Sequence, residues 1–214
     1  MPCILLSGFE PFYTHSTNVT EELVRYFHHK AFHSFTIQSI VLPVVQWRSI
    51  SALKQAIEQY RPAAVVSLGQ SQRAAVSLEE SARNWDAFAI PDNAGQQPMA
   101  APIEADGDDQ YPSTLPLKQW FEALSSARIP VEYSQSAGTF VCNHLFYGLQ
   151  HALCQSAIAS GFVHMPMRPE QIQNPHKPSL DFELQLKAVD LMLKLLSETL
   201  ETSPTSSGQT DSCG

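Results

Sequence analysis

The sequence predicts an α/β fold built on a mostly parallel, twisted sheet. Three apolar runs have the length and the β-branched content of strands, at residues 3–7, 34–42 and 62–70. Two segments with the apolar period of an amphipathic helix separate them, at 21–29 and 47–60. This β-α-β-α-β order is typical of a parallel sheet with helices packed on both faces.

The second half of the chain continues the alternation less regularly. Residues 81–88 are predicted as a strand, although 75–90 have no clean period, and the polar stretch 96–113 is predicted as an irregular excursion. The remaining predicted elements are a helix at 117–124, a strand at 129–133, a helix from Thr139 to about residue 156, a strand at 161–166, a loop at 169–178 and a helix at 180–200. Residues 1–201 are therefore predicted to form one domain, followed by a flexible tail at 202–214 that is rich in Ser, Thr and Gly.

The composition excludes several classes of partner. The chain has 214 residues, 43% of them hydrophobic, and a formal net charge of −8 without a basic stripe, which argues against a nucleic acid partner. No apolar run has the length of a membrane span, and the N-terminus does not have the pattern of a signal peptide. The four cysteines have no paired spacing, so we expect free thiols and a cytoplasmic protein.

The segment around Cys142 has the features of a nucleophile site. Ala137 and Gly138 end a strand, Thr139 is a good helix N-cap, and Cys142 then falls in the first helical turn. The positive end of the helix dipole favours a thiolate there, and the free N–H groups of that turn could bind an oxyanion. The alternative is that Cys142 is a small buried hydrophobic residue.

A cysteine nucleophile requires a base. His164 is the best candidate, because it lies near the end of a predicted strand, where a parallel sheet forms its ligand crevice. His144 is two residues from Cys142 on the same predicted helix, so the two side chains should point apart. Glu79 or Glu80 could orient the imidazole. The alternative for His164 is a core histidine with its hydrogen bonds satisfied.

Two further patterns bear on binding. Phe9 and Phe12 follow the first strand directly, where aromatic rings either clamp a flat ligand or fill the core. A zinc site is conceivable on the predicted helix that carries Cys142, His144, His151 and Cys154. Cys142 faces away from the others and no HExxH or CxxC spacing is present, so we predict no metal.

At these residues the chain resembles the pyroglutamyl peptidase I family of cysteine peptidases. The shared motifs are Leu-Ser-Gly-Phe-Glu-Pro-Phe at 6–12, Gly-Gln at 69–70, Ile-Pro-Asp-Asn at 90–93, Ser-Ala-Gly-Thr-Phe-Val-Cys-Asn-His at 136–144 and Gly-Phe-Val-His-Met-Pro at 161–166. The resemblance implies a single α/β/α domain that removes N-terminal pyroglutamyl residues from peptides without a metal or other cofactor, often as a homotetramer.

The resemblance also implies roles for individual residues. Cys142 matches the family's nucleophile, His164 its base and Glu79 its glutamate. The pocket residues that match are Phe9 and Phe12, which clamp the ring, and Asn18 and Gln70, which bond the lactam or position backbone that does so.

Two departures from the family pattern keep alternatives open. The segment before Ile90 reads Ala87-Phe88-Ala89 where the family usually has Asp-Ala-Arg, so a charged group near the site is replaced by Ala89. After Gly69-Gln70 the family commonly has Ala-Gly-Gly-Arg, whereas this chain has Ser-Gln-Arg-Ala at 71–74 and about one residue fewer, so the site glutamate could be Glu79 or Glu80. The rival functions are an impaired paralogue that binds pyroglutamyl peptides and a nucleoside phosphorylase-like enzyme with a phosphate loop at Gly69 and Gln70.

Overall fold

A computed structural model describes residues 1–172, 174 and 176–202 of the chain. Thr202 is the last residue of the final helix, and the rest of the predicted tail, 203–214, lies outside the described residues. Cys213 is therefore outside the described part as well.

Strands and helices alternate as predicted over residues 3–71, apart from one short added strand, and three more strands follow before the next helix. The elements in order are β1 Cys3–Phe9, α1 Val19–Phe27, β2 Ala31–Phe32, β3 Phe35–Leu42, α2 Arg48–Tyr60, β4 Ala64–Ser71, β5 Val76–Glu79, β6 Ser81–Arg83, β7 Gln110–Pro112, α3 Leu117–Ser126, β8 Val131–Ser134, α4 Val141–Leu153, β9 Ala159–Pro166 and α5 Phe182–Thr202.

The main sheet has seven strands in the order β2-β3-β1-β4-β9-β5-β8. Four of its six neighbouring pairs are parallel, namely β1 with β3, β1 with β4, β4 with β9, and β5 with β8. The pairs β2–β3 and β5–β9 are antiparallel. The predicted α/β fold with a mostly parallel sheet is confirmed.

Helices cover both faces of this sheet, which makes three layers. One core lies under α1, α3 and α5, with Trp120, Phe27 and Leu193 fully buried in it. The other lies under α2 and α4, with Phe146 and Phe162 fully buried. All seven residues of β1 are buried, which is why the central strand is a continuous apolar run and does not alternate.

Local sequence explains where α1 begins. The Asn18 side chain accepts a hydrogen bond from the Thr20 N–H at 3.0 Å, and Glu21 and Glu22 place negative charge at the positive end of the helix. The buried side chains Leu23, Val24 and Phe27 then recur at the helical period on the core face. This cap fixes the loop that joins β1 to α1, which borders the candidate site.

Several predicted elements were wrong in detail. The strand predicted at 81–88 is limited to β6, which pairs only with β7 in a separate two-stranded sheet, and β7 lies inside the stretch predicted as irregular. Strand β5 was not predicted, because its alternation of Val76, Ser77, Leu78 and Glu79 covers only four residues inside a stretch without a clean period. Thr139 is not the cap of α4: the N-cap is Phe140, and the Thr139 hydroxyl donates to the Ala87 carbonyl at 2.9 Å.

Candidate active site

A small cavity of about 180 Å³ lies at the carboxyl ends of β1, β4 and β9. This is the edge of the sheet where loops form ligand crevices in α/β folds. It brings together six of the seven predicted site residues, and the seventh, Glu79, lies behind one of them. The lining residues are Phe9, Phe12, Asn18, Val44, Gln70, Ala137, Phe140, Val141, Cys142 and His164.

Cys142 is the second residue of α4 and is partly exposed to this cavity. The Cys142 Sγ lies close to Gly69 of β4, because a Cβ built on that glycine would be 3.0 Å from the sulfur. Burial raises the pKa of the Cys142 thiol to about 12; the charge of Glu79 raises it further, and Arg73 opposes the shift. Desolvation therefore acts against the bias toward thiolate that the position of Cys142 in the first helical turn predicts.

His164 lies on β9 in register with Gly69 of β4 and is almost fully buried. Its Nδ1 is 2.7 Å from Glu79 Oε1, so the carboxylate accepts a hydrogen bond from the Nδ1–H group. The ring of Phe162 packs edge-on against the imidazole at 5.0 Å between centroids. These contacts fix the ring, and Nε2 is then the nitrogen that can take up a proton from the cavity side.

The carboxylate against His164 belongs to Glu79 and not to Glu80. Glu79 is the last residue of β5 and is 0% exposed, whereas Glu80 is exposed to solvent. Burial alone would raise the pKa of Glu79, but the hydrogen bond and charge of His164, together with the charge of Arg73, hold it below the ordinary value. Glu79 is therefore an anion at neutral pH.

Arg73 is a member of this site that the sequence reasoning did not identify. Its Nη1 donates to Glu79 Oε1 at 2.8 Å from the loop between β4 and β5. The signal in the sequence was an isolated arginine between Gln70 and Glu79, in a loop that follows a central strand. Sequence spacing gave no means of knowing which way its side chain turns.

The predicted aromatic pair, Phe9 and Phe12, lines the cavity. Phe140 lines it as well, and Phe88 lies behind Phe140. Phe9 is buried and packs on Phe162, and Phe12 lies 5.9 Å from Phe140 between ring centroids. Phe88 packs behind Phe140 at 4.6 Å and is buried itself. Phe140 directly precedes the helix of Cys142, which was the available signal for its place in the wall.

The two predicted polar pocket residues have different roles in the fold. Both polar groups of the Asn18 side chain are used internally, since Oδ1 caps α1 and Nδ2 donates to the Glu10 carbonyl at 3.0 Å. Gln70 Oε1 accepts hydrogen bonds from the Val19 N–H and from Gln171. The Gln70 amide N–H₂ can donate toward the cavity, whereas Asn18 positions the loop of Phe9 and Phe12.

The four candidate zinc ligands on the Cys142 helix do not converge. His144 contacts Asp86, His151 Nδ1 is 3.1 Å from the Tyr111 hydroxyl, and Cys154 is exposed. Within residues 1–172, 174 and 176–202 there is no group of three or more His, Cys, Asp or Glu side chains able to hold a metal ion. The same described residues include no helix with the length and apolar character of a membrane span.

A larger cavity of about 550 Å³ lies beyond the ends of the same strands. Its walls are mostly polar and include His15, Gln72 and Gln171, but neither Cys142 nor His164 reaches it. The nucleophile and base candidates meet in the smaller cavity, so the chemistry belongs there.

The chain is similar to known proteins over most of its length. The sequence profile described as pyroglutamyl peptidase matches residues 3–199. A pyrrolidone-carboxylate peptidase of Vibrio vulnificus (strain CMCP6) is 44% identical over 197 residues, which are 92% of this chain and 93% of that protein. The crystal structure of Bacillus amyloliquefaciens pyroglutamyl peptidase I superposes with a TM-score of 0.89 at 33% identity, covering 92% of this chain and 98% of that one. The pyrrolidone carboxyl peptidase of Thermococcus litoralis gives 0.90 at 33% identity, with 94% and 96% covered.

Proposed function

The chain belongs to the pyroglutamyl peptidase family and is a cysteine peptidase that removes N-terminal pyroglutamyl residues, and we propose that Cys142, His164 and Glu79 are its catalytic residues. The observation that carries this proposal is the meeting of Cys142 and His164 in one cavity, with Glu79 bonded to the far nitrogen of the imidazole. The names of the relatives favour this enzyme over the impaired paralogue and over the phosphorylase.

The proposed acylation step begins from a neutral thiol. Because burial raises the pKa of Cys142 to about 12, the thiol needs a base, and His164 takes its proton as Sγ attacks the pyroglutamyl carbonyl carbon. A C–S bond forms and the carbonyl becomes an oxyanion. When the oxyanion collapses, the C–N bond breaks and the imidazolium of His164 gives its proton to the leaving amine. Glu79 stabilises the imidazolium through the Nδ1 hydrogen bond.

Deacylation reverses the roles with water as the nucleophile. His164 takes a proton from water, the hydroxide oxygen attacks the thioester carbon, and the C–S bond breaks to return the thiol. The products are free pyroglutamate and the shortened peptide. In both steps the first N–H groups of α4, which have no acceptor within the helix, can donate to the oxyanion because Cys142 is on that turn.

The chemistry of the cavity walls supports selection of a pyroglutamyl ring. The ring is a flat, neutral lactam without an amine, and the walls contributed by Phe9, Phe12 and Phe140 are apolar. A charged free N-terminus would lose its hydration there without a carboxylate in the lining. The Gln70 amide offers a hydrogen-bond donor for the lactam carbonyl, which a proline ring lacks.

The test is hydrolysis of a pyroglutamyl-linked fluorogenic amide. The wild type should turn over the amide with and without EDTA, and Cys142→Ala should lose at least about 10³-fold in kcat. Cys154→Ala is the matched control, since this thiol is exposed at the other end of α4 and should leave kcat unchanged. Turnover that survives in Cys142→Ala would contradict the proposed nucleophile.

Three further expectations remain proposals. We propose that residues 1–201 act as one catalytic domain, because the site draws on β1, β4, β5, β9 and α4 of one sheet and its covering layer. We also propose a cytoplasmic location, since a thiol nucleophile has to stay reduced. By resemblance we propose a homotetramer, which light scattering after gel filtration would test.

A further inference from the structure

We propose that Arg73 is a positioning residue that holds Glu79 as the anionic partner of His164 and keeps a positive charge beside Cys142. This assignment rests on the proposed function, because it concerns the same catalytic residues. It goes beyond that function in naming a fourth member of the site and the way it acts.

The guanidinium of Arg73 is fixed by three hydrogen bonds. Nη1 donates to Glu79 Oε1 at 2.8 Å and to the Ser134 hydroxyl at 2.9 Å, and Nη2 donates to the Ser136 carbonyl at 2.8 Å. These partners lie at the end of β5, at the end of β8 and in the loop that leads to α4. A planar guanidinium with several donors can bridge three such segments at once, which a lysine ammonium on a flexible stem does less well.

Burial explains why Glu79 needs this cation. Its side chain is 0% exposed, and an ionised carboxylate is costly in such a place unless it is paired and hydrogen-bonded. His164 and Arg73 both contact Oε1, while Oε2 has no hydrogen-bond partner among the described residues. When His164 is neutral, Arg73 is the one full positive charge in contact with the carboxylate within the described part of the chain.

The charges around Glu79 come from three elements of the described structure. His164 faces it from β9, Arg73 from the loop before β5, and the ionisable thiol of Cys142 from α4, while β8 contributes the neutral Ser134. Glu79 raises the pKa of Cys142 and Arg73 lowers it. Arg73 therefore offsets the effect of Glu79 on the thiol while Glu79 still stabilises the imidazolium.

Ala89 stands where the family pattern has an arginine, so this position contributes no charge to the site. Ala89 is exposed, on a segment held to the start of α4 by hydrogen bonds between Ala87 and Thr139. The chain thus lacks the arginine that the family pattern places at this position. Arg73 supplies a guanidinium from the loop between β4 and β5, in direct contact with Glu79.

The experiment compares Arg73→Gln, Arg73→Lys and a control, Arg168→Gln. Arg168 is, like Arg73, a partly buried arginine and makes an ion pair with Glu22 at 2.7 Å, but it contacts neither Glu79 nor Cys142. The readouts are kcat and KM for a pyroglutamyl fluorogenic amide across pH, Tm, and the rate at which iodoacetamide alkylates Cys142, followed by peptide mass mapping. The alkylation rate reports on the thiol whether or not the enzyme turns over.

We expect Arg73→Gln to lower kcat by about 10–100-fold with KM changed by less than about threefold. Loss of the cation raises the pKa of Glu79, so its carboxylate is protonated at higher pH and the acid limb of the kcat profile moves upward. The same loss raises the pKa of Cys142 and lowers its thiolate fraction, so alkylation at about pH 8 should slow severalfold. Arg73→Lys should recover part of each effect, and Arg168→Gln should show none.

Two results would overturn the assignment and leave the proposed catalytic residues in place. One is a lower Tm for Arg73→Gln with an unchanged acid limb and an unchanged alkylation rate, which would make Arg73 purely structural. The other is an equal effect of Arg168→Gln on the alkylation rate. Failure of the proposed function has a different signature, namely full turnover in Cys142→Ala, and the alkylation comparison would still decide the role of Arg73.

Discussion

Two buried carboxylate–histidine pairs lie in the described part of this molecule, and the distances between their bonded atoms are the same. Glu79 Oε1 is 2.7 Å from His164 Nδ1, and Asp86 Oδ2 is 2.7 Å from His144 Nδ1. In each pair the second carboxylate oxygen is without a hydrogen-bond partner among the described residues. A survey of buried ion pairs alone would not separate them.

The two pairs differ first in the partner of Nε2, the second nitrogen of the histidine ring. His144 Nε2 accepts a hydrogen bond from the Trp47 N–H at 3.3 Å and Nδ1 is bonded to Asp86, so both ring nitrogens are occupied. Trp47 itself has a φ of 58°, a left-handed conformation that this contact helps to hold at the start of α2. His164 instead turns Nε2 to the side of the cavity that contains Cys142.

The two pairs also differ in the second side chain that bonds the carboxylate. Asp86 Oδ2 accepts a bond from the neutral Gln46 amide at 2.8 Å, whereas Glu79 Oε1 is bonded by the cation Arg73. A neutral partner such as Gln46 is sufficient for the Asp86–His144 pair if that pair only connects loops and does not change its charge. A cation suits a pair whose imidazole must gain and lose a proton. The same two residue types are thus structural or catalytic according to the partners on either side of them.

The largest expected contrast comes from the histidines. His164→Gln should lower kcat by about 10³-fold, because general acid–base catalysis by a positioned side chain contributes about 10²–10⁴-fold. His144→Gln should instead lower the free energy of unfolding by about 1–3 kcal/mol, because it removes the acceptor of the Trp47 N–H and one of the two hydrogen bonds to Asp86 Oδ2. Fluorogenic turnover measures the first effect, and chemical denaturation measures the second.

The comparison fails if the two variants exchange these effects. A His144→Gln enzyme that is fully folded but inactive would show that this pair takes part in the chemistry. Activity should therefore be assayed well below the Tm of each variant, so that unfolding cannot imitate a loss of turnover.

The carboxylates give the next largest contrast. Glu79→Gln should lower kcat by about 10²–10³-fold, because a neutral amide cannot stabilise the imidazolium of His164. Glu80→Gln should stay within about twofold of wild type, because Glu80 is exposed and surface changes have small effects. Asp86→Asn tests the other pair and should change Tm more than kcat. Steady-state kinetics on the three variants would reveal a wrong register if Glu80→Gln were the impaired one.

A smaller effect on activity is expected from crowding at Gly69. A Cβ there would lie 2.6 Å from the ring of Phe162 and 3.0 Å from Cys142 Sγ, so Gly69→Ala should displace the nucleophile and lower kcat by about 10–10²-fold. Gly148→Ala is the control on the same helix as Cys142, because its Cβ would meet Ile50 of α2 at 2.9 Å, away from the site. Both variants should lose about 1–3 kcal/mol of stability from overpacking. Equal loss of kcat in both would mean that crowding acts only through the fold.

The sequence predicted most of the fold because its inner strands are mostly apolar and its helices have apolar faces at the helical period. β5 escaped prediction because its four residues are too short a pattern to identify a strand, and because its polar residues Ser77 and Glu79 are buried. Its antiparallel pairing with β9, which sets Ser77 opposite His164, depends on contacts far apart in the chain. Local pattern holds no information on such a pairing.

The sequence indicates the direction of a side chain where one element determines it. Cys142 and His144 are two apart on one helix, and this spacing alone is enough to exclude His144 as the base. Arg73 was missed because it lies in a loop, where sequence does not fix the direction of a long side chain. The desolvation that raises the pKa of Cys142 could not be predicted, because the position of a residue in a helix reveals the dipole but not the burial of its side chain.

The smallest expected effect concerns the arginine that this chain lacks. Ala89→Arg should change kcat by less than about threefold, because Ala89 is exposed and a guanidinium there is solvated and screened. Arg73 already provides the cation in contact with Glu79. Ala89→Gln is the control, because its side chain is of similar size but has no charge. The measurements are kcat and kcat/KM for substrates whose second residue is acidic or neutral. A rise of more than about tenfold for Ala89→Arg but not for Ala89→Gln would show that Arg73 leaves the His164 pair short of positive charge.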